Sequence, residues 1–310
     1  MPKTDLFTTI PKSIKHQRNS FSKEVKDIAR QSERHGYTGT LIYSDNSLAD
    51  PWTIASYVLS ETNELLAMIA LQPAYMHPYT AAKKISTLAL LHDRPVALNL
   101  IAGGFSNDLK SLGEFTEHDR RYDRLVEYTK IIQLLINSTQ PINFEGDFYK
   151  ISNLKLYPSL PDELRPFYYL SGSSDAAKSA AQTLSAKLIE YPEPSHIWSK
   201  TNPEQKNNNG IRIGILARDD HYEAWNDALE RFPETREGAI THQMAQRTSD
   251  SQWHKKLSKQ SQHATGQKSV YWLGPFEHYH TFCPYLVGTY EEVSEELSHY
   301  LRAGCDTCIL

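Results

Sequence analysis

The sequence predicts a closed (β/α)8 barrel, and three observations carry that expectation. Strand-like apolar runs alternate with helix-like periodic segments along the whole chain, the order of an α/β fold with a parallel sheet. Eight such strands with seven intervening helical segments fit a barrel, whose usual size of roughly 250 residues leaves room for insertions in a chain of 310. A doubly wound open sheet is the competing architecture, and no Gly-x-Gly-x-x-Gly fingerprint follows an early strand to support it.

The first strand is Asp5 to Ile10. A helix then opens near Ser22, places Val25, Ile28 and Ala29 on one face and stops at Gly36. Thr38 to Tyr43 is the second strand, Leu66 to Leu71 the third and Val96 to Ala102 the fourth, separated by helices over Pro51 to Ser60 and Tyr79 to Leu91. A long helix from Asp119 to Ile136 carries Leu125, Tyr128, Ile132 and Leu135 as a stripe for a sheet. A polar hairpin-like insertion occupies Asn143 to Tyr157. Strands recur at Phe167 to Leu170, Lys187 to Glu190 and Ile211 to Leu216, and a helix over Glu291 to Arg302 leads into a last strand from Thr307 to Leu310. One domain over 1–310 is the expected organisation, with the helix that normally follows the eighth strand absent. The polar stretch 247–268, rich in Gln, Ser, Lys and His, is expected to be a mobile loop, either a surface insertion or a lid.

Composition narrows the function. Thirty-three Lys and Arg against 37 Asp and Glu give a net charge of −4, too even for a nucleic-acid footprint. A mean hydropathy of −0.55 and the lack of a roughly 18-residue apolar stretch argue against a membrane span. The N-terminal residues hold no signal-peptide core, and three cysteines, all in the last tenth of the chain, suit a reducing compartment. A cytoplasmic enzyme or binding protein is therefore expected.

Active sites of such barrels form where the strands end. Asn99 interrupts the apolar run Val96 to Ala102, and an amide facing inward there needs a neighbouring strand or a ligand to satisfy it. Gln72, at the end of the third strand, poses the same choice. Tyr169 to Ala177 reads as strand, small-residue turn and helix start, so Ser173 and Ser174 either cap the helix or seat a phosphate at its positive end. His118 to Tyr122 opens the long helix with the basic pair Arg120 and Arg121, which opposes the helix dipole and calls for either a nearby anion or a solvated face. His278, His280 and Cys283 have the spacing for zinc if they lie on a strand, but no fourth ligand is placed. Cys305 and Cys308 have redox spacing, yet three-apart side chains on a strand point to opposite faces, which makes them structural. No Ser-His-Asp set, Walker loop or His-Glu-x-x-His helix is visible.

Taken in order, Ala97 to Gly104, Gly113 to Tyr122, Phe144 to Tyr149 and Gly172 to Ala177 resemble the bacterial luciferase-like flavin monooxygenases, closest to the alkanesulfonate monooxygenase branch. Gly36 to Gly39, Asp50 to Trp52 and Gly210 to Arg212 extend the match over most of residues 28 to 230. The resemblance implies reduced FMN at the barrel mouth, supplied by a separate flavin reductase, with O2 and a small organic molecule as the other substrates and a homodimer as the assembly. It assigns Gln72 and Asn99 to the flavin ring, and Ser171, Gly172, Ser173, Ser174 and Tyr122 to cofactor binding around the phosphate. Arg212 becomes the cation for an anionic substrate or oxygen intermediate, and with Asn99 and His16 it makes up the catalytic candidates. Three positions depart from the sulfonate branch: Leu48 stands for its cysteine, Gly214 for the histidine of its Arg-x-His, and Phe105 for an acidic residue after the glycines. No arginine lies between Arg247 and Arg302, where that branch has a lid arginine. These departures imply a less polar mouth, roomier at Gly214, and a substrate other than a simple alkanesulfonate. A non-catalytic flavin-binding relative or partner subunit is the second reading, and a zinc hydrolase a third.

Overall fold

A computed structural model describes residues 4–13, 20–104, 106–201, 209–248 and 269–310. Eight strands close a barrel: β1 (Asp5–Thr9), β2 (Gly39–Ile42), β3 (Leu66–Leu71), β4 (Ala97–Leu100), β7 (Phe167–Ser171), β8 (Lys187–Glu190), β9 (Asn209–Arg212) and β13 (Cys305–Ile309). The intervening β5 (Ile142–Glu145) and β6 (Lys150–Leu154) pair antiparallel as the expected hairpin. Each of the eight strands foreseen in the sequence contributes to the barrel. The strand neighbours run parallel, with Asn99 of β4 opposite Ala70 of β3 on one side and Tyr169 of β7 on the other. Strands buried on both faces need unbroken apolar runs, which is why β3 reads Leu-Ala-Met-Ile-Ala-Leu.

The fold divides into two compact units, an N-terminal one of Leu6–Ser171 with Asp175–Lys187 and a C-terminal one of Met1–Asp5, Gly172–Ser174 and Leu188–Leu310. In the first, α1 (Ser20–Arg34), α2 (Pro51–Glu61), α3 (Pro78–His92), α4 (Ser106–Ser111), α5 (His118–Asn137) and α6 (Asp175–Leu184) surround the strands. Proline at the first position of α2 and α3 costs no hydrogen bond, and Asp50 caps α2 by accepting from the Thr53 amide at 2.8 Å. All four residues of the expected α5 stripe are buried.

The C-terminal unit differs from the sequence reading at the seventh strand. The apolar run Ile211 to Leu216 is not one strand but two, because the chain leaves the barrel at Ile213 and continues as β10 (Gly214–Arg218) in a separate sheet. That sheet has the order β10-β12-β11, with β11 at Tyr271–Trp272 and β12 at Tyr285–Thr289. Leu216, Ala224, Trp225, Ala228 and Val287 form its own apolar cluster. The remaining helices here are α7 (Ser195–Thr201), α8 (His221–Arg231), α9 (Arg236–Thr248), α10 (Gly274–Glu277) and α11 (Tyr290–Arg302), the last fixed by a full capping box between Thr289 and Glu292. Of the stretch 247–268, residues 247 and 248 end α9 and 249–268 lie outside the described residues. None of the described helices is long and apolar enough to cross a membrane.

One ion pair ties the loop before α5 to that helix. Arg124 donates to Glu114, and both side chains are 13% exposed. Burial alone would raise the Glu114 carboxyl, but hydrogen bonds from Thr116 and Arg124 and the Arg124 charge outweigh it and hold it at about 2. A depressed carboxyl stabilises the fold above its unfolded value near 4.5 and loses that contribution as pH falls toward 2. Glu114→Gln is expected to cost about 2 to 4 kcal/mol at pH 7, because it strands a largely buried guanidinium. Urea unfolding of both proteins between pH 7 and pH 2 checks this: the gap between them should close on acidification, and a pH-independent gap would assign Glu114 a purely steric role.

Candidate functional site

The polar residues at the strand ends are best built up within each unit. In the N-terminal unit, Asn99 is only 3% exposed, and its Oδ1 accepts a hydrogen bond from Ser171 Oγ at 2.7 Å. The buried amide is thus half satisfied by the end of β7. Among the described residues its nitrogen makes no hydrogen bond, which leaves two amide donors at the same strand end. Gln72 follows β3 and is half-buried; a Cβ on Gly103 would lie 3.4 Å from its Nε2 and 3.0 Å from the Leu109 methyls. Gly103 itself has φ of +100°, so both its backbone and the space around it call for glycine.

Beside Gln72 lies a cavity of about 470 Å³, lined by Asp45, Leu48, Trp52, Leu71, Tyr75, Met76 and Leu112 among others. Asn46 fastens its rim: its Nδ2 donates to the Asp108 carbonyl and to Ser111 Oγ, each at 2.9 Å, and its Oδ1 accepts from the Tyr75 hydroxyl at 2.9 Å. Burial, then the Asp108 and Asp45 charges, push the Tyr75 phenol up to about 12. Burial and the Asp45 charge likewise raise the Asp108 carboxyl. The sequence reading missed Asp45, Asn46 and Tyr75; the one available signal was the polar run Ser44 to Ser47 directly after an apolar strand.

At the start of α5, Arg120 needs no bound anion. It pairs with Asp123 and Asp147 at 3.1 and 3.0 Å and lies over the Phe148 ring. Arg121 is 3% exposed, next to the buried Tyr122, whose ring meets that of His118 edge-on at 5.3 Å. Ser174 is buried and immediately precedes α6, while Gly172 and Ser173 are half-buried.

Arg212 lies in the C-terminal unit, opposite Ile309 in the β9–β13 register. Its Nη1 donates a long 3.4 Å bond to the Tyr191 hydroxyl. Burial raises the Tyr191 phenol and the Cys283 thiol, and the Arg212 charge opposes both shifts. Gly214 is not a roomier position. A Cβ there would fall under 3.0 Å from three carbons of the Tyr285 ring, its register partner on β12, so the phenol already fills the space.

Two other expectations change. His278 and His280 lie in a turn after α10 rather than on a strand, and His280 Nε2 is engaged with the Pro233 carbonyl at 2.8 Å. No metal-holding group of His, Cys, Asp and Glu occurs among the described residues. Cys305 and Cys308 do not point to opposite faces. The β13 register shifts between Cys305 and Thr307, the extra residue restores a two-residue spacing, and the two buried thiols interact directly. His16 and Phe105 lie outside the described residues. Of the other candidates, the structure brings Asn99 and Ser171 together and places Gln72 on the cavity wall, whereas Arg212, Gly172, Ser173 and Ser174 belong to the C-terminal unit.

Comparison with known proteins agrees with the fold. The chain is 32% identical over 298 residues, 94% of its length and 87% of the relative's, to the 4-(γ-L-glutamylamino)butanoyl-[BtrI acyl-carrier protein] monooxygenase BtrO of Niallia circulans. Among solved structures, EDTA monooxygenase EmoA from Chelativorans sp. BNC1 superposes with a TM-score of 0.74 at 14% identity, covering 99% of this chain and 88% of that one. Riboflavin lyase RcaE, solved with modified FMN and riboflavin, gives 0.73 at 13% identity, covering 99% and 87%. These two likenesses establish shared architecture. The family model for luciferase-like monooxygenases matches residues 5–307, essentially the whole barrel, and the chain belongs to that family.

Proposed function

We propose that the protein is a two-component monooxygenase that uses reduced FMN, delivered by a separate flavin reductase, and O2 to oxygenate a small organic molecule. The observation that carries this reading is the pair of amides at the ends of β3 and β4. A flavin's pyrimidine edge alternates acceptors with a donor, and Gln72 and Asn99 offer both kinds of partner, one against the Gly103 cradle and the other already aligned by Ser171. These residues fit the ring, and Ser173, Ser174 and the Gly172 backbone, directly before α6, are the proposed phosphate holders. When bound, reduced FMN supplies the two electrons that allow one oxygen atom of O2 to enter the substrate and the other to leave as water. The protein's own part is to fix the ring edge through Asn99 and Gln72 and to exclude water with the apolar wall of Leu48, Trp52 and Leu71. A homodimer and a cytoplasmic location complete the proposal.

Simple alkanesulfonates are not the proposed substrate. A sulfonate needs several cations or donors to replace its water, each charge-assisted bond contributing about 1.5 to 3 kcal/mol, and Leu48 on the cavity wall supplies none. The name of the Niallia relative adds carrier-bound acyl groups to the substrates worth testing. Anaerobic titration with reduced FMN, followed by oxygen, a reductase and a substrate panel, tests the reading. Tight flavin binding with substrate-dependent product supports it; binding without any product supports the non-catalytic reading; no binding ends both.

The phosphate seat has its own test. Ser173→Asp is expected to weaken FMN at least about tenfold through charge repulsion while leaving riboflavin affinity unchanged, since riboflavin lacks the phosphate. Ser173 is half-buried, so the fold can accept the added charge. Equal effects on both ligands would reassign the turn to ordinary helix capping.

A further inference from the structure

We infer that the cavity beside Gln72 receives the ammonium group of an amine substrate, with Asp45 as the carboxylate that binds it; the inference rests on the monooxygenase reading above. The cavity, at about 470 Å³, is the size of a small-molecule pocket and has apolar walls for a carbon skeleton in Leu48, Trp52, Leu71 and Met76. Its charged lining is one-sided. Asp45 and Asp50 line it, and no Lys, Arg or His does among the described residues. Asp50 is exposed and caps α2, with one oxygen accepting from both the Thr53 amide and its hydroxyl. Asp45 is half-buried and, like Asp50, uses only Oδ1 locally, for the Ser47 amide and hydroxyl, so it is the more shielded of the two carboxylates.

A second carboxylate, Asp108, is close enough to Asp45 for the two charges to repel, and neither forms an ion pair among the described residues. A half-buried carboxylate on the cavity wall, without an ion pair among the described residues and with the Asp108 charge near it, favours a cation there. The hydroxyl best placed to greet an anion is turned away, since Tyr75 donates its proton to Asn46. The polar end of the cavity therefore offers acceptors. An ammonium satisfies them with three donors, whereas a sulfonate or carboxylate would face two like charges.

Calorimetric titration of the full chain with hexylammonium, hexanol and hexanoate, three probes of one length, tests the inference. Hexylammonium should bind at least about tenfold more tightly than hexanol, with hexanoate weakest, and added salt should weaken only the ammonium. Asp45→Asn keeps the Oδ1 acceptor for Ser47 and removes the charge, so it should bring hexylammonium down to the hexanol level. Should that variant fold poorly, Asp108→Asn is expected to weaken hexylammonium by about threefold through the lost longer-range attraction. An unchanged ammonium affinity in Asp45→Asn, a salt-independent wild type, or hexanoate binding best would each overturn the inference. Parallel titration with reduced FMN separates the two readings: flavin binding without amine preference removes the amine assignment alone, and amine preference without flavin binding removes the monooxygenase alone.

Discussion

Asn99→Leu is expected to weaken reduced FMN binding by roughly 30- to 1000-fold, the loss of two hydrogen bonds from a buried amide to a buried ring edge. Leucine matches asparagine in length, so the strand and its parallel neighbours should persist. The hydroxyl of Ser171 loses its acceptor, a cost of about 1 to 2 kcal/mol that urea unfolding would register separately from the cofactor effect. Ser171→Ala provides the control. It removes the aligning hydroxyl but leaves the Asn99 amide, and should reduce FMN affinity by only about three- to tenfold. Anaerobic fluorescence titration of the three proteins distinguishes the alternatives: if Asn99→Leu binds reduced FMN like the wild type, the amide serves only the β4–β7 contact and the flavin ring lies elsewhere.

Asn99 was legible in the sequence itself. An amide inside Ala-Leu-Asn-Leu-Ile-Ala is visible because an apolar strand leaves few reasons for a polar side chain, and β3 and α5 are visible for the matching reason that their burial demands a regular apolar pattern. Features made by contacts between distant segments were not visible. Asn46 meets Tyr75 and Ser111, 29 and 65 residues away, and no local pattern announces either meeting. The division of Ile211 to Leu216 between two sheets was hidden because a strand in either sheet wants the same apolar residues. Cys305 and Cys308 were misplaced by the assumption of an unbroken two-residue period, which one bulged residue cancels.

Gly214→His would create the Arg-x-His pattern of the sulfonate branch, and is expected to destabilise the protein rather than to confer sulfonate oxidation. The added Cβ would enter the Tyr285 ring, and Tyr285 is held on β12 by its register with Gly214 and by the edge of Phe232, whose ring centroid is 4.9 Å away. Overpacking of this kind costs about 1 to 3 kcal/mol. Tyr285→Ala alone leaves a void and should cost about 3 kcal/mol or more. The double variant lets the imidazole occupy the vacated space, so its loss should be smaller than the sum of the two singles by at least about 1 kcal/mol. That coupling, read from urea midpoints at constant slope, is the signature of one space shared by two positions. It also explains why a histidine cannot simply be introduced: the aromatic ring from β12 and a side chain at 214 are alternatives. Additive costs would mean that Tyr285 can rotate clear at no penalty, and sulfite release by Gly214→His with a reductase and a short alkanesulfonate would show that residue 214 alone separates this chain from the sulfonate branch.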